Sequence, residues 1–278
     1  MGLRALTLAV SITAVCAASA CLASPNSEAR TVSNGDTALT AAVASPARSP
    51  QNVARDVYRH PQQSLSFWGL KPGMAILEIW PGAGYWTEIL APYAKATNGS
   101  YLAAVSSASQ TLPANFSQTS VHGPISTTEF NEKSPPLAKP GSVSFVLLAR
   151  NLHDWMSTPG EPEKAMRDFY AALKPGGILA VEQHRADPRP MKPDASDGYM
   201  STAVVVKLAE GAGFKLAATS EINANPKDPK DHPFGVWTLP PTRRSAPSGQ
   251  PPNPNFDHAK YDAIGESDRM TLKFIKPN

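Results

Sequence analysis

The clearest hydrophobic pattern in the chain is a short apolar run that is followed by a glycine-rich turn and a stretch with helical spacing. The run Ile76–Ile79 is interrupted only by Glu78, which is typical of a strand buried in a parallel sheet. The Pro-Gly-Ala-Gly sequence at residues 81–84 predicts a tight turn, and residues 87–94 carry apolar side chains at helical intervals. Strand, glycine turn and helix in this order form the first half of a nucleotide-binding βαβ unit.

The rest of the chain alternates between strand-like and helical patterns. Strands are predicted at residues 101–105, 125–130, 142–149, 178–182, 214–222 and 270–275, and helices at 52–67 with a break at Pro61, 163–173 and 203–212. The sequence Leu-Lys-Pro-Gly occurs before a predicted strand at residues 70–73 and again at 173–176, which favours an alternating α/β fold. The last two strands are expected to pair. The Pro-rich connection at residues 239–256 is expected to be a functional flap or a disordered loop.

The first 21 residues have the pattern of a signal peptide. Arg4 supplies a positive charge, residues 5–15 are apolar, and Ala18-Ser-Ala20 is a small-residue cleavage site. Cys21 follows in a sequence similar to a bacterial lipobox, although Ala18 stands where leucine is usual. We therefore expect an exported protein that is either released into the periplasm or anchored as a lipoprotein through Cys21, and we favour release. No other contact with a membrane is expected.

The segment after the signal peptide, residues 22–50, is rich in Ala, Ser, Thr and Pro and has few large apolar side chains. This composition cannot bury a core, so the sequence predicts a flexible linker. The folded domain is predicted to cover residues 51–278.

Composition narrows the function classes. The chain has 278 residues, 41% of them hydrophobic and 18% charged, with a net charge of +3. It can therefore form one sizeable core, and its weak charge argues against nucleic-acid binding. Both cysteines lie in the signal segment, which leaves the mature domain without a disulfide or a thiol nucleophile. Asp228, Asp231 and His232 could bind a metal, but the alternating lysines favour a solvated loop, and we predict no metal. The oligomeric state cannot be read from the sequence.

In the order of these elements the chain resembles the class I S-adenosylmethionine-dependent methyltransferases. The matching motifs are Glu78-Ile-Trp-Pro-Gly-Ala-Gly84 after strand one, Asn151-Leu-His-Asp-Trp155 after strand four and Leu173-Lys-Pro-Gly-Gly177 before strand five. Together with Tyr58-Arg59-His60-Pro61 they resemble, more narrowly, an exported group of predicted methyltransferases. The resemblance implies an α/β, Rossmann-like fold with a seven-stranded, mostly parallel sheet, helices on both faces and a C-terminal antiparallel hairpin. It also implies S-adenosylmethionine as the cofactor and a small-molecule acceptor.

The resemblance places the cofactor in the glycine turn and at the ends of strands two and four. The residues it implies for cofactor binding are Glu78, Trp80, Pro81, Gly82, Gly84, Tyr85, Ser106 and Asn151. Two positions depart from the family's pattern. Trp80 stands where a glycine is usual, and the strand that leads to Ser106 ends without the acidic residue that binds the ribose hydroxyls.

Candidate catalytic residues follow strands four and five, at the sheet edge where ligands bind in such folds. The unperturbed pKa of histidine is near neutrality, so His153 is the predicted general base, with Asp154 and His184 in support. The structural alternatives are that Asp154 caps a helix and that His184 belongs to a surface ion pair with Glu182 and Arg185. Arg59 and His60 could close over the cofactor or form a structural turn.

The predicted export leaves a second function open. S-adenosylmethionine is made in the cytoplasm, so an exported chain with this fold could be a non-catalytic binding protein of the cell envelope that holds another small ligand in the same pocket. A third hypothesis is an envelope interaction protein, which would use the linker and the Pro-rich connection.

Overall fold

Seven strands form one mixed sheet in the order β3-β2-β1-β4-β5-β7-β6. In the computed structural model, which describes residues 1–2 and 36–278, the strands are β1 Ala75–Ile79, β2 Ser100–Val105, β3 Ile125–Glu129, β4 Val143–Ala149, β5 Leu173–His184, β6 Lys215–Ser220 and β7 Arg269–Ile275. The pairs among β1 to β5 are parallel, whereas β7 is antiparallel to both β5 and β6. The predicted Rossmann-like, mostly parallel sheet with a C-terminal antiparallel hairpin is therefore confirmed.

Helices cover both faces of the sheet. They are α1 Thr37–Val43, α2 Pro50–Val53, α3 Asp56–Arg59, α4 Pro61–Trp68, α5 Thr87–Ala96, α6 Thr119–His122, α7 Glu161–Ala172, α8 Thr202–Gly211 and α9 Ala259–Ile264, with 3₁₀ turns at Ala114–Ser117, Leu152–Trp155 and Gly235–Thr238. Side chains of α1, α4 and α5 share one apolar core, and those of α7 and α8 share the other. All seven residues of β4 are buried between these cores, which explains its uninterrupted apolar sequence.

The predicted linker is folded in the part that the structure describes. Helix α1 starts at Asp36, whose carboxylate accepts hydrogen bonds from the backbone N–H groups of Ala38 and Leu39, each at 3.1 Å. Leu39 is 1% exposed and packs in the core that includes α5. The prediction of flexibility is therefore wrong for residues 36–50, because two small stretches of helix need only a few apolar residues to attach them. The signal peptide and the rest of the linker lie outside the described residues.

Other elements differ in detail from the sequence-based expectations. The predicted helix at residues 52–67 is broken into three short helices, and Pro61 begins the last of them. The second Leu-Lys-Pro-Gly sequence lies inside β5, where its pairing with β4 is irregular. The Pro-rich connection contains no helix or strand between Leu239 and His258. Among residues 1–2 and 36–278, every helix is too short or too polar to reach across a bilayer.

Candidate active site

The turn after β1 adopts a backbone conformation that favours glycine. Trp80 has φ +45° and Gly84 has φ +86°, in the left-handed region that costs free energy for residues with a side chain. A Cβ atom on Gly84 would overlap the ring of Phe116. Asn151 stabilises the turn from the end of β4, because its side-chain amide donates a hydrogen bond to the Ile79 carbonyl at 2.6 Å. Asn151, predicted to bind the cofactor, therefore also holds the turn in place.

A pocket of about 250 Å³ lies beside this turn, at the carboxyl ends of β1, β4 and β5. The strand order reverses between β1 and β4, and open α/β sheets bind their ligands at such a point. Nine of the eleven site residues predicted from the sequence line this pocket: Glu78, Trp80, Pro81, Gly82, Tyr85, Asn151, His153, Asp154 and His184.

Gly84 and Ser106 are the two predicted site residues that do not line the pocket. Gly84 lies under the Phe116 ring. The N–H and hydroxyl groups of Ser106 both donate to the side-chain oxygen of Gln110, at 2.8 Å and 2.7 Å. In this arrangement the loop after β2 accepts from both donors of Ser106, and the Ser106 carbonyl accepts from the side chain of Asn131 at 3.2 Å.

The pocket also contains residues that the sequence did not single out as site residues. They come from the N-terminal helices, the ends of β4 and β7 and the loop around residue 240: Arg55, Arg150, Trp237, Pro240, Pro241, Thr242, Glu266 and Ser267. Arg59, noted in the Tyr-Arg-His-Pro motif, lines the pocket too, whereas His60 faces Asn223 with 3.3 Å between Nδ1 and Oδ1. The contacts from Arg59 to Glu266 join positions 207 apart in the chain, which no local pattern reveals.

Glu78 is a buried carboxyl group at the end of β1. Its Oε2 atom accepts hydrogen bonds from the hydroxyls of Tyr101 at 2.5 Å and Thr87 at 3.0 Å. Burial raises the pKa of Glu78 from 4.5 to about 7, although both hydrogen bonds oppose this shift. A buried carboxyl group with a raised pKa is a common feature of functional sites.

His153 is buried and engaged at both ring nitrogens. Its Nδ1 lies 3.0 Å from the side-chain nitrogen of Gln183, and its Nε2 lies 3.3 Å from Oδ1 of Asp154. An amide nitrogen can only donate, so Nδ1 accepts and the hydrogen of a neutral ring lies on Nε2. Burial lowers the pKa of His153 and raises that of Asp154. His153 is thus held as a neutral ring whose basic nitrogen already has a partner.

His184 lies next to His153, with 5.4 Å between the ring centroids. Its Nδ1 is 2.5 Å from the Ser267 hydroxyl, and burial lowers its pKa well below 6.5. Arg185 does not join it in the pocket, because its guanidinium group pairs with Asp268 at 2.9 Å and Glu221 at 2.8 Å. The predicted ion pair of Arg185 with Glu182 is therefore wrong, because Glu182 is buried and pairs with Arg269 instead, while His184 is a pocket residue.

A group of charged side chains lies on the side of α3, and four of its six members line the pocket. This arginine cluster consists of Arg55, Arg59, Arg150, Arg269, Glu182 and Glu266. Glu266 is at its centre and accepts from Nε of Arg55 at 2.7 Å, Nε of Arg59 at 2.9 Å and Nη1 of Arg269 at 2.8 Å. One carboxylate therefore serves three guanidinium groups.

The side chains beside β2 decide whether the implied cofactor fits. The indole of Trp80 extends across the end of β2, because its Nε1 donates to the carbonyl of Phe130 just after β3, at 3.0 Å. The indole also packs edge-on against Trp155, with ring centroids 5.2 Å apart. The resemblance places the ribose in this region, and Phe116 covers the turn next to it. The remaining 250 Å³ is below the ~300–1,000 Å³ of most ligand pockets. A cofactor placed as the resemblance implies would therefore meet the Trp80 indole.

The Asp228–His232 loop differs from the solvated loop predicted for it. Asp228 is 5% exposed and accepts hydrogen bonds from the Tyr199 hydroxyl and from His232 Nε2, both at 2.8 Å. Asp231 is exposed. Two of the three side chains considered as metal ligands therefore form a buried hydrogen-bond network, and the sequence missed it because the neighbouring lysines suggested solvent.

Among known proteins, this chain is similar in fold to solved structures, whereas the two sequence-based comparisons find no match. No family profile matches the chain, and no curated protein matches it. Among solved structures, an S-adenosylmethionine-dependent methyltransferase from Aquifex aeolicus is 20% identical, with a TM-score of 0.47 over 61% of this chain and 87% of that one. The [4+2]-cyclase SpnF is 16% identical, with a TM-score of 0.48 over 79% and 80% of the two chains. A Mesorhizobium loti methyltransferase of the same cofactor class is 13% identical, with a TM-score of 0.46 over 77% and 96%.

Proposed function

We propose that this protein uses a methyltransferase-like fold to bind a small molecule other than intact S-adenosylmethionine. The observation that carries the proposal is the position of Trp80, whose indole extends across the end of β2 and is fixed by the hydrogen bond to the Phe130 carbonyl. Ser106 in place of an acidic residue removes a partner for the ribose hydroxyls. The expected export away from the source of this cofactor supports the same conclusion.

The second candidate is a class I S-adenosylmethionine-dependent methyltransferase that acts on a small-molecule acceptor. It is favoured by the convergence of nine predicted site residues on one pocket at the strand-order reversal. The two histidines in that pocket would then serve proton transfer from the acceptor. This candidate requires the Trp80 indole to leave its place between Phe130 and Trp155 before the cofactor can enter.

Calorimetric titration of the full chain with S-adenosylmethionine and S-adenosylhomocysteine separates the two candidates. We expect no heat of binding from the wild type at millimolar ligand. The Trp80→Gly variant, which restores the family's glycine and removes the indole, is expected to bind either ligand better than the wild type. Val57→Ala, at an exposed position outside the pocket, is the control and should leave the result unchanged. Tight binding to the wild type, with methyl transfer to an acceptor, would overturn the proposal in favour of the methyltransferase.

A further inference from the structure

We infer that Arg59 and Arg55 form an oxyanion-binding subsite in this pocket, so that the ligand is a small organic acid with a carboxylate or phosphate group. The inference rests on the proposed function in one respect, namely that this pocket is the ligand site. It adds the chemical class of the ligand.

Arg59 is the residue on which the inference depends. Its side chain is fully buried and lines the pocket. Only Nε is used within the cluster, where it donates to Glu266 at 2.9 Å. Among residues 1–2 and 36–278, neither Nη1 nor Nη2 has a hydrogen-bond partner. Buried donors without partners cost free energy, and two parallel guanidinium N–H groups match the two oxygens of an oxyanion.

The guanidinium of Arg59 is held in a fixed orientation before any ligand arrives. Its central carbon lies 4.4 Å from the ring centroid of Tyr85, in a cation–π contact. Tyr85 is fixed in turn by the hydrogen bond from its hydroxyl to Asp56, at 2.7 Å. Stacking on one side and the Glu266 bond at Nε hold the guanidinium, and its two Nη groups are buried beside the pocket without partners. An oxyanion therefore meets a preorganised donor pair, which reduces the entropy cost of binding.

The net positive charge of the arginine cluster also favours an anionic ligand. Four guanidinium groups face two carboxylates, so the cluster carries four minus two, or +2, when both glutamates are ionised. The nearest further acid on α3, Asp56, is already paired with Arg48 at 2.7 Å. Arg55 has its side chain 19% exposed, at the open side of the cluster, where it can add a second cation. A buried excess of positive charge is stabilised by a bound anion.

The opposite wall indicates what the rest of the ligand looks like. Trp237 packs edge-on against His153, with 5.7 Å between ring centroids, and His184 lies behind them. Burial lowers the pKa of both histidines, so this wall is largely aromatic and its two imidazoles favour the neutral form. The carboxyl group of Asp154, whose pKa is raised by burial, is the acid on this wall. The geometry favours a compact acid with an apolar or aromatic body.

The test is isothermal titration of the full chain with benzoate and with inorganic phosphate, and with benzamide as the neutral analogue of benzoate. We expect at least one of the two anions to bind and benzamide not to bind. Arg59→Gln should weaken anion binding roughly ten- to a hundredfold, as expected for loss of charge-assisted hydrogen bonds. Arg55→Gln, at a partly exposed position, should weaken it by a smaller factor and guards against misfolding of the Arg59 variant. Arg167→Gln, on the exposed side of α7, is the matched control and should bind as the wild type does.

The outcomes separate this inference from the proposed function. If neither anion binds, or if Arg59→Gln and Arg55→Gln both bind as tightly as the wild type, the oxyanion subsite is wrong while the proposed function still stands. Methionine and S-adenosylmethionine are titrated in parallel as the other source of a carboxylate. If these two bind and lose affinity in the Arg59 variant, the subsite is correct but holds the cofactor's carboxylate, and the proposed function is overturned.

Discussion

At the scale of single residues, the ionisation of Glu78 makes the stability of the fold depend on pH. Burial raises its pKa to about 7 in the folded chain, whereas an unfolded chain has a glutamate pKa near 4.3. The folded state therefore binds more protons than the unfolded state between these two values, and stability falls as pH rises through that window. The contribution of Glu78 to the free energy of unfolding is fully lost at pH values above its pKa in the folded chain.

Glu78→Gln is expected to remove this pH dependence. Glutamine can accept the hydrogen bonds from Tyr101 and Thr87 through its carbonyl oxygen but does not ionise. The free energy of unfolding of the wild type, relative to the variant, should fall by about 3 kcal/mol between pH 4 and pH 8, since one pKa unit corresponds to 1.36 kcal/mol. Urea unfolding at both pH values measures it, with the exposed Glu163→Gln as control. A wild-type-to-variant difference that is the same at both pH values would contradict the prediction.

The two glycines of the turn provide a second, matched test at the residue scale. Both have positive φ, +59° at Gly82 and +86° at Gly84, but a Cβ on Gly82 would meet open space and one on Gly84 would overlap Phe116. Gly82→Ala should cost about 1–2 kcal/mol of unfolding free energy from backbone strain alone. Gly84→Ala should cost about 1–3 kcal/mol more, because overpacking adds to the strain. Equal losses in chemical denaturation would show that Phe116 does not lie over the turn.

At the scale of elements, the sequence predicted features that are visible within a short stretch of the chain and missed those that depend on contacts between distant residues. Strand β4 is buried along its whole length, so its uninterrupted apolar sequence identified it. Nine predicted site residues line one pocket because they lie at strand ends or in the turn and loops that follow them. Helix α1 was missed, since Leu39 and Ala42 are its only buried residues in a segment of small and polar side chains. The arginine cluster was missed for a different reason. Its members look like exposed charges until the fold brings Arg59 and Glu266 together.

Helix α1 can be tested as part of the domain. Leu39 is 1% exposed in the core that α1 shares with α5. Leu39→Ala should therefore lower the free energy of unfolding by about 2–4 kcal/mol, from lost burial and the cavity left behind. Val57→Ala, at a side chain that is 68% exposed, should change it by less than about 0.5 kcal/mol. If both variants unfold like the wild type, residues 36–50 behave as the linker that the composition suggested.

At the scale of the whole molecule, the proposed export determines which ligands the pocket can meet. The apolar run of residues 5–15 is shorter than the ~20 residues needed to span a bilayer, and a small-residue cleavage site follows it. The proposed release therefore predicts a mature chain that starts at Cys21 and is recovered in the soluble periplasmic fraction of a bacterial host. Fractionation and intact-mass measurement check both points, and Cys21→Ser should leave the distribution unchanged. Membrane-bound protein that becomes soluble only in the Cys21→Ser variant would establish the lipid anchor instead. Protein retained in the cytoplasm would restore access to S-adenosylmethionine and remove one of the arguments against methyl transfer.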